Sequence, residues 1–498
     1  MMHQHHQPTT TAEQPAPTST ASAYRAAMAS VPNEVDVALT VAEGSIPERL
    51  RGVHFRNGAG RGEAFGVPYQ HPFDGDGHVV RLAFTDDGVH YRNRFVRTRE
   101  WHEEEAAGRM LYRSFGTNLP GGLWTNMLRM RFKNAANTSV VYHAGKLLAL
   151  WEGGQPHALD PVTLKTLGRD TLQGRLDNHR SPIDRWLAPE LPFSAHPRID
   201  PDTGVMWNFG TSVGFPPRLM LYQVEPDGRC RPPRSITLER LSFVHDFVLT
   251  PTWQVFMFTP VSFDIVRALL GLSTPVASLR SSDGPGQVML VPRRGGAPLT
   301  FEARGGFIFH YTNGYEDEQG RVVIDGYWMD HVPSAQLAQR IMAGETVRFA
   351  QPSLVRFVVD PRHGVVSETP IGPYQGELPT IHPDHEGRPY RYVWATAESE
   401  DPSNVLFTAL QRLDVESGQA VRRDMAPDLP GEPYFVPDPQ GEAEDEGWVL
   451  SLVYRTEAHR SDLYVLDART LKTVCRLELP HHVPPGFHGT WVEDTVGV

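Results

Sequence analysis

Cysteine is nearly absent: Cys230 and Cys475 are the only two in 498 residues. Two thiols cannot build a disulfide framework or a thiolate zinc site, and they suit a reducing compartment. Long apolar runs are missing as well. The nearest to one, residues 247–272, is broken by Pro251, Gln254, Pro260, Asp264 and Arg267, so no segment is expected to span a bilayer. There is no excess of positive charge, with 47 Lys and Arg against 59 Asp and Glu. That balance argues against nucleic acid as the main partner. The first 30 residues lack the basic and apolar blocks of a secretory leader. Rich in Thr, Ala, Pro and Gln, they read as a disordered lead-in to a cytoplasmic protein, with metal capture by His3, His5 and His6 a minor reading. Familiar catalytic loops are missing too. Gly58-Ala-Gly60-Arg-Gly62 has the wrong spacing for a dinucleotide site, and no Walker lysine loop, His-Glu-x-x-His or Gly-x-Ser-x-Gly occurs.

What the chain does have is 44 glycines and 43 prolines spread along its whole length. That spread cuts a sequence into short segments, as all-β folds require. A turn signature recurs at Asp200-Pro-Asp-Thr-Gly204, Asp360-Pro-Arg-His-Gly364 and Asp414-Val-Glu-Ser-Gly418. The Asp side chain bonds its own turn and the Gly takes the left-handed position. Residues 158–168 also align with residues 465–475 at six of eleven positions. Such a self-match suggests repeated four-stranded blades, although generic hairpins also look alike. With 1–30 set aside, residues 31–498 are expected to form one domain; were it seven such blades, they would average roughly 67 residues, the excess going into long loops over one face.

Two segments interrupt the β pattern. In residues 119–132, Leu123, Met127 and Met130 fall at helical spacing before a basic cluster; residues 263–272 are apolar apart from Asp264 and Arg267. Each is readable as a core-facing helix or as an interfacial helix for a membrane surface.

Four histidines sit in apolar or turn-defining frames: Phe193-Ser-Ala-His196-Pro-Arg-Ile-Asp200, Leu241-Ser-Phe-Val-His245-Asp-Phe247, Gly305-Gly-Phe-Ile-Phe-His310-Tyr and Gly486-Phe-His488-Gly489. Taken singly, each is more simply a hydrogen-bonded core histidine. Taken together, they make sense where a fold brings strand starts to one axis. Glu152, Glu377 and Glu432 stand in similar frames, where charge is costly. Metal-bound imidazoles commonly donate their other N–H to a carboxylate. Four neutral nitrogens with open positions suit iron better than closed tetrahedral zinc. By contrast, His382 and His385 flank a Pro-Asp turn and read as a solvated loop.

With Phe73-Asp-Gly-Asp-Gly77, Gly431-Glu-Pro-Tyr-Phe-Val-Pro437 and Glu444-Asp-Glu-Gly-Trp448, these frames make the chain resemble the carotenoid cleavage oxygenases from about Ser45 onward. The resemblance implies an all-β, seven-bladed propeller with a helical and loop cap over the metal site. It implies Fe(2+) on His196, His245, His310 and His488, with Glu152, Glu377 and Glu432 hydrogen-bonded behind three of them. Thr138 would crowd one open metal position, and Trp151, Phe243 and Phe309 would line the substrate tunnel.

The likeness is strongest to the branch that cleaves apocarotenoids at the 15,15' position. It is carried by Ala149-Leu-Trp-Glu-Gly-Gly-Gln-Pro-His157 and Ser194-Ala-His-Pro-Arg-Ile-Asp-Pro201. Departures from that branch are Tyr311 in place of a second His, one inserted residue before Gly320, and residues 263–282. The activity implied is oxidative cleavage of a polyene double bond into retinal-type aldehydes, using O2. Since carotenoids reside in membranes, segments 119–132 and 263–272 become candidates for peripheral contact. Three rivals remain: a stilbenoid-cleaving dioxygenase with the same iron site, an isomerase that does not use O2, and a propeller that only binds.

Overall fold

The computed structural model describes residues 19–493 apart from 130, 178–181, 188–189, 348–350, 402–403 and 405. The described chain is mostly strand, with a few short helices in the connections. Strands pair in chain order as antiparallel neighbours, a pattern that hairpin turns make inexpensive. One sheet runs Ser139–His143, Lys146–Leu150, His157–Leu159 and Thr166–Arg169. The next runs Arg198–Ile199, Met206–Ser212, Arg218–Val224 and Arg234–Thr237; a third runs Val248–Leu249, Trp253–Phe258, Gly286–Pro292 and Leu299–Ala303. A seven-stranded sheet then spans residues 307–424. Its long strand Gly364–Thr380 pairs backward with Ser353–Asp360 and forward with Tyr392–Glu398.

The two ends of the described chain are tied together. Gly489–Val492 pairs with Gly52–Arg56 in a sheet that also holds His78–Thr85 and Gly88–Phe95. Thr40–Gly44 pairs with Thr473–Glu478, completing the sheet built from Gly447–Arg455 and Arg460–Asp467. Hydrophobic clusters fill the spaces between consecutive sheets. Val53, Val79 and Val140 join the first two, and Leu150, Phe193 and Met206 the next. Leu82, Tyr91, Leu450 and Leu463 join the last sheet to the first.

The expected Asp–Gly turns are present. Asp200 and Asp414 each accept the N–H four residues on, at 2.8 Å, and Gly204, Gly364 and Gly418 have φ of +65°, +88° and +71°. The self-matching segments make the same turn with a leucine in the glycine position: Leu164 and Leu471 have φ of +58° and +56°, and both are buried.

Two expectations need correction. Part of the supposed disordered lead-in is helical: Thr20–Ala27 is capped by Ser19 and buries Ala21, Ala23 and Ala27. Small side chains let this helix pack closely on Leu429 and Tyr454, which composition alone hides. His3, His5 and His6 lie outside the described residues. Segment 119–132 is not a continuous helix either. Only Leu123–Asn126 is helical, because Met127 is extended and Leu128 has φ of +60°. Asn126 is turned inward to bond the backbone of Leu119 and Gly122, and Met130 lies outside the described residues. In segment 263–272 the helix is Ile265–Leu269, capped by Asp264. No helix among the described residues is long and apolar enough to cross a membrane.

Candidate metal centre

Each of the four histidines lies on, or just before, the edge strand of its sheet. His196 precedes Arg198–Ile199, His245 precedes Val248–Leu249, His310 lies in Phe307–Glu316 and His488 precedes Gly489–Val492. Residues almost 300 positions apart are thereby brought together. Nitrogens of His196, His310 and His488 all lie within 4.8 Å of one another. His245 joins through His196, their Nε2 atoms 2.9 Å apart, and the Nε2 atoms of His310 and His488 are 3.1 Å apart.

The opposite ring nitrogens each face a carboxyl group, which favours the tautomer protonated at Nδ1. Nδ1–H of His245 donates to Glu152 at 2.6 Å, Nδ1–H of His488 to Glu432 at 2.8 Å, and Nδ1–H of His310 to Glu377. The glutamates are themselves placed by backbone donors. Glu432 also accepts the N–H of Gly489 at 2.9 Å, and Glu377 that of Leu378 at 2.7 Å. With Nδ1 protonated, the Nε2 atoms of His310 and His488 present lone pairs to each other at 3.1 Å. Two facing lone pairs repel unless a cation lies between them, so the donor set fits a divalent metal.

The electrostatics agree. Burial, and then the neighbouring imidazoles, hold His196 and His310 well below the usual histidine range, which keeps them neutral. Burial also pulls His245 down, but Glu152 outweighs it and leaves the ring raised. Burial pushes the Glu377 carboxyl up to about 8 against the opposing Leu378 N–H.

Phenylalanines surround the cluster. Phe309 meets His245 edge-on with centroids 4.7 Å apart, and Phe243 stacks on Phe307 at 5.7 Å. Phe307 meets Phe309 at 5.0 Å. Phe73 contacts Phe309, Phe115 and Phe487. Sequence reasoning singled out Phe243 and Phe309 but not Phe73, Phe115, Phe307 or Phe487. A signal existed for Phe487, which directly precedes His488 as Phe309 precedes His310. Trp151 adjoins Glu152 with its ring over Gly153 and Gly154, and among the described residues no ring contact links it to the phenylalanines. Thr138 lies against His488, whose N–H reaches its carbonyl at 3.3 Å. His382 and His385 form a separate pair on a short helical turn.

Known proteins match most of the chain. The sequence pattern of the family described as retinal pigment epithelial membrane protein covers residues 28–493. The apocarotenoid-15,15'-oxygenase of Synechocystis is 38% identical over 476 residues, covering 93% of this chain and 95% of that protein. The chain belongs to the carotenoid cleavage oxygenase family.

A solved Synechocystis apocarotenoid oxygenase variant superposes with a TM-score of 0.88 at 36% identity, covering 95% of this chain and 99% of that one. The cobalt-substituted form of that oxygenase superposes with the same score. Resveratrol cleavage oxygenase 1 of Aspergillus fumigatus is 29% identical over 499 residues, covering 92% of this chain and 93% of its own. The family therefore includes enzymes named for carotenoid and for stilbene substrates, and this oxygenase has the mostly-β fold of its solved relative.

Proposed function

We propose that this enzyme is a non-haem Fe(II) dioxygenase that cleaves a polyene double bond of an apocarotenoid, at the 15,15' position, into two aldehydes. The observation that carries the reading is the histidine cluster, backed by three carboxylates and opening onto phenylalanine rings. His196, His245, His310 and His488 would hold the iron through Nε2. Bound Fe(II) supplies the redox chemistry by which O2 reacts with an alkene; both oxygen atoms end in the products.

The chain's own residues do the rest. Glu152, Glu377 and Glu432 hold three imidazoles in the tautomer that offers Nε2. Thr138, tied to His488 through the backbone, narrows the space beside that ring. Phe243, Phe307, Phe309 and Phe73 hold an extended apolar chain next to the cluster and exclude water, with Trp151 on the Glu152 side. These rings carry no hydroxyl to anchor a phenol, which favours a polyene over a stilbenoid.

The fold reading that accompanies this is a seven-bladed propeller capped by loops. It is supported by core clusters that link consecutive sheets and return from the last to the first. Substrate would arrive from a membrane. Trp124, Leu128, Val266 and Leu272 are 80%, 53%, 61% and 53% exposed, and their two segments are joined where Leu128 N–H donates to Leu269 O at 2.8 Å. Arg129 and Arg267 are exposed beside them with no ion pair among the described residues, which suits an anionic lipid surface. From that patch, Val276 N–H reaches Phe115 O at 2.9 Å, and Phe115 leads through Phe73 and Phe309 to His245.

The deciding experiment supplies purified protein, Fe(II) and labelled O2 with apocarotenals, carotenes and stilbenes, and identifies products by mass. Two labelled aldehydes from an apocarotenal are expected. Cleavage of stilbenes alone, or recovery of every carbon without O2 uptake, would overturn the proposal.

A further inference from the structure

His196 differs from its three companions: among the described residues no carboxylate stands behind its ring. Its support comes from elsewhere. Two residues along, past Pro197, Arg198 turns its guanidinium into the protein. Nη2 donates to both oxygens of Asp246, at 2.9 and 2.8 Å, and lies 3.5 Å from the carbonyl of Tyr311. Nη1 donates to Glu386 at 3.2 Å. Asp246 is wholly buried and also accepts the N–H of Tyr311 at 2.9 Å and of Phe247 at 2.7 Å.

The sequence positions give this network its meaning. Asp246 follows His245, and Tyr311 follows His310. One ion pair therefore ties together the backbone beside three of the four histidines, which come from three different sheets. Asp246 is buried, so losing Arg198 would leave a buried carboxylate without its partner, which is costly. Pro197 fixes one of the few dihedrals between the anchor and the histidine.

We propose that Arg198, held by Asp246 and Glu386, is a positioning residue that sets where His196 stands in the metal shell, replacing the carboxylate that the other three ligands have. The inference rests on reading the four histidines as metal ligands. Arg198 touches neither metal nor substrate; it acts through the two residues that separate it from His196.

The test uses cobalt(II) as the probe, titrated into metal-free protein, with affinity read by competition against a chelator and geometry read from the visible absorption of the bound ion. Arg198→Met should weaken cobalt binding by about 10–100-fold, the usual range for an outer partner of a ligand, and shift the spectrum. Arg198→Lys, which keeps the charge but loses the fork, should fall between the two. Because Arg198→Met leaves Asp246 unpaired, the double variant Arg198→Met with Asp246→Asn is measured beside it. Its metal-free melting temperature should recover while cobalt binding stays weak, a separation that a purely structural role would not give.

Should the arginine variants fail to fold, Glu386→Gln loosens one side of the guanidinium and should still shift the cobalt spectrum. Cobalt affinity and spectrum unchanged in whichever variants fold would overturn the proposal while leaving the metal site standing. Failure of the unaltered protein to bind cobalt would overturn both.

Discussion

At the scale of single residues, the proposed centre gives the four histidines and three glutamates separable tasks. His488→Ala and His245→Ala each remove an Nε2 donor outside the hydrophobic clusters that join the sheets, so the fold should survive while bound iron is lost. Metal analysis of purified protein checks this, and unchanged iron content would sink the ligand assignment. Glu432→Gln is subtler. An amide oxygen can still accept Nδ1–H of His488, but the amide NH2 then faces the N–H of Gly489, which the second carboxylate oxygen accepted, and the charge is gone. Metal affinity should drop about 10–100-fold, and a value equal to the unaltered protein's would remove Glu432 from its role. These seven residues were legible because each breaks an apolar or turn-defining frame. Phe73, Phe115 and Phe307 were not, since a phenylalanine in a β-rich chain carries no local sign of facing a cavity. Nor was the Arg198–Asp246 pair. Its partners are 48 positions apart, and only the fold brings them together.

At the scale of elements, the Asp–Gly turns were readable in advance because their chemistry is local: one side chain, one left-handed residue. Gly418→Ala puts a Cβ into that left-handed conformation, at a cost of roughly 1–2 kcal/mol. Urea unfolding should show the loss, and an unchanged midpoint would mean that the turn is free to rearrange. Leu471 adopts the same backbone at φ +56° yet is buried against the core, so Leu471→Gly should also destabilise, by emptying a packed site. The two helical segments were only half readable. Apolar spacing located segments 119–132 and 263–272, but not that Leu128 bonds Leu269 and makes one patch of two single-turn helices. Replacing Trp124, Leu128 and Val266 with Ser should reduce binding to anionic liposomes while turnover in detergent persists. Liposome binding equal to that of the unaltered protein would reject the patch.

At the scale of the whole molecule, the proposed metal centre depends on how the chain closes. Four sheets each contribute one histidine, and the last of these, His488, directly precedes the strand Gly489–Val492, which pairs with Gly52–Arg56 near the other end of the chain. Sequence showed many short strands and a repeat, but not this closure, because pairing across more than 430 positions leaves no periodic trace. Two glycines test it separately. At Gly52, φ is +144° and an added Cβ would lie 2.5 Å from the Val492 carbonyl oxygen, in the strand that His488 directly precedes. At Gly44, φ is +70° and a Cβ would lie 1.9 Å from the Val474 carbonyl oxygen, in the neighbouring sheet that bears no metal ligand. Both Gly52→Ala and Gly44→Ala should lower the melting temperature, since each forces backbone apart in a left-handed or extended-glycine conformation. Only Gly52→Ala should also weaken metal binding, because it alone displaces the strand that delivers His488. Equal metal affinity in the two variants would mean that His488 is held by its Glu432 partner and not by closure of the chain.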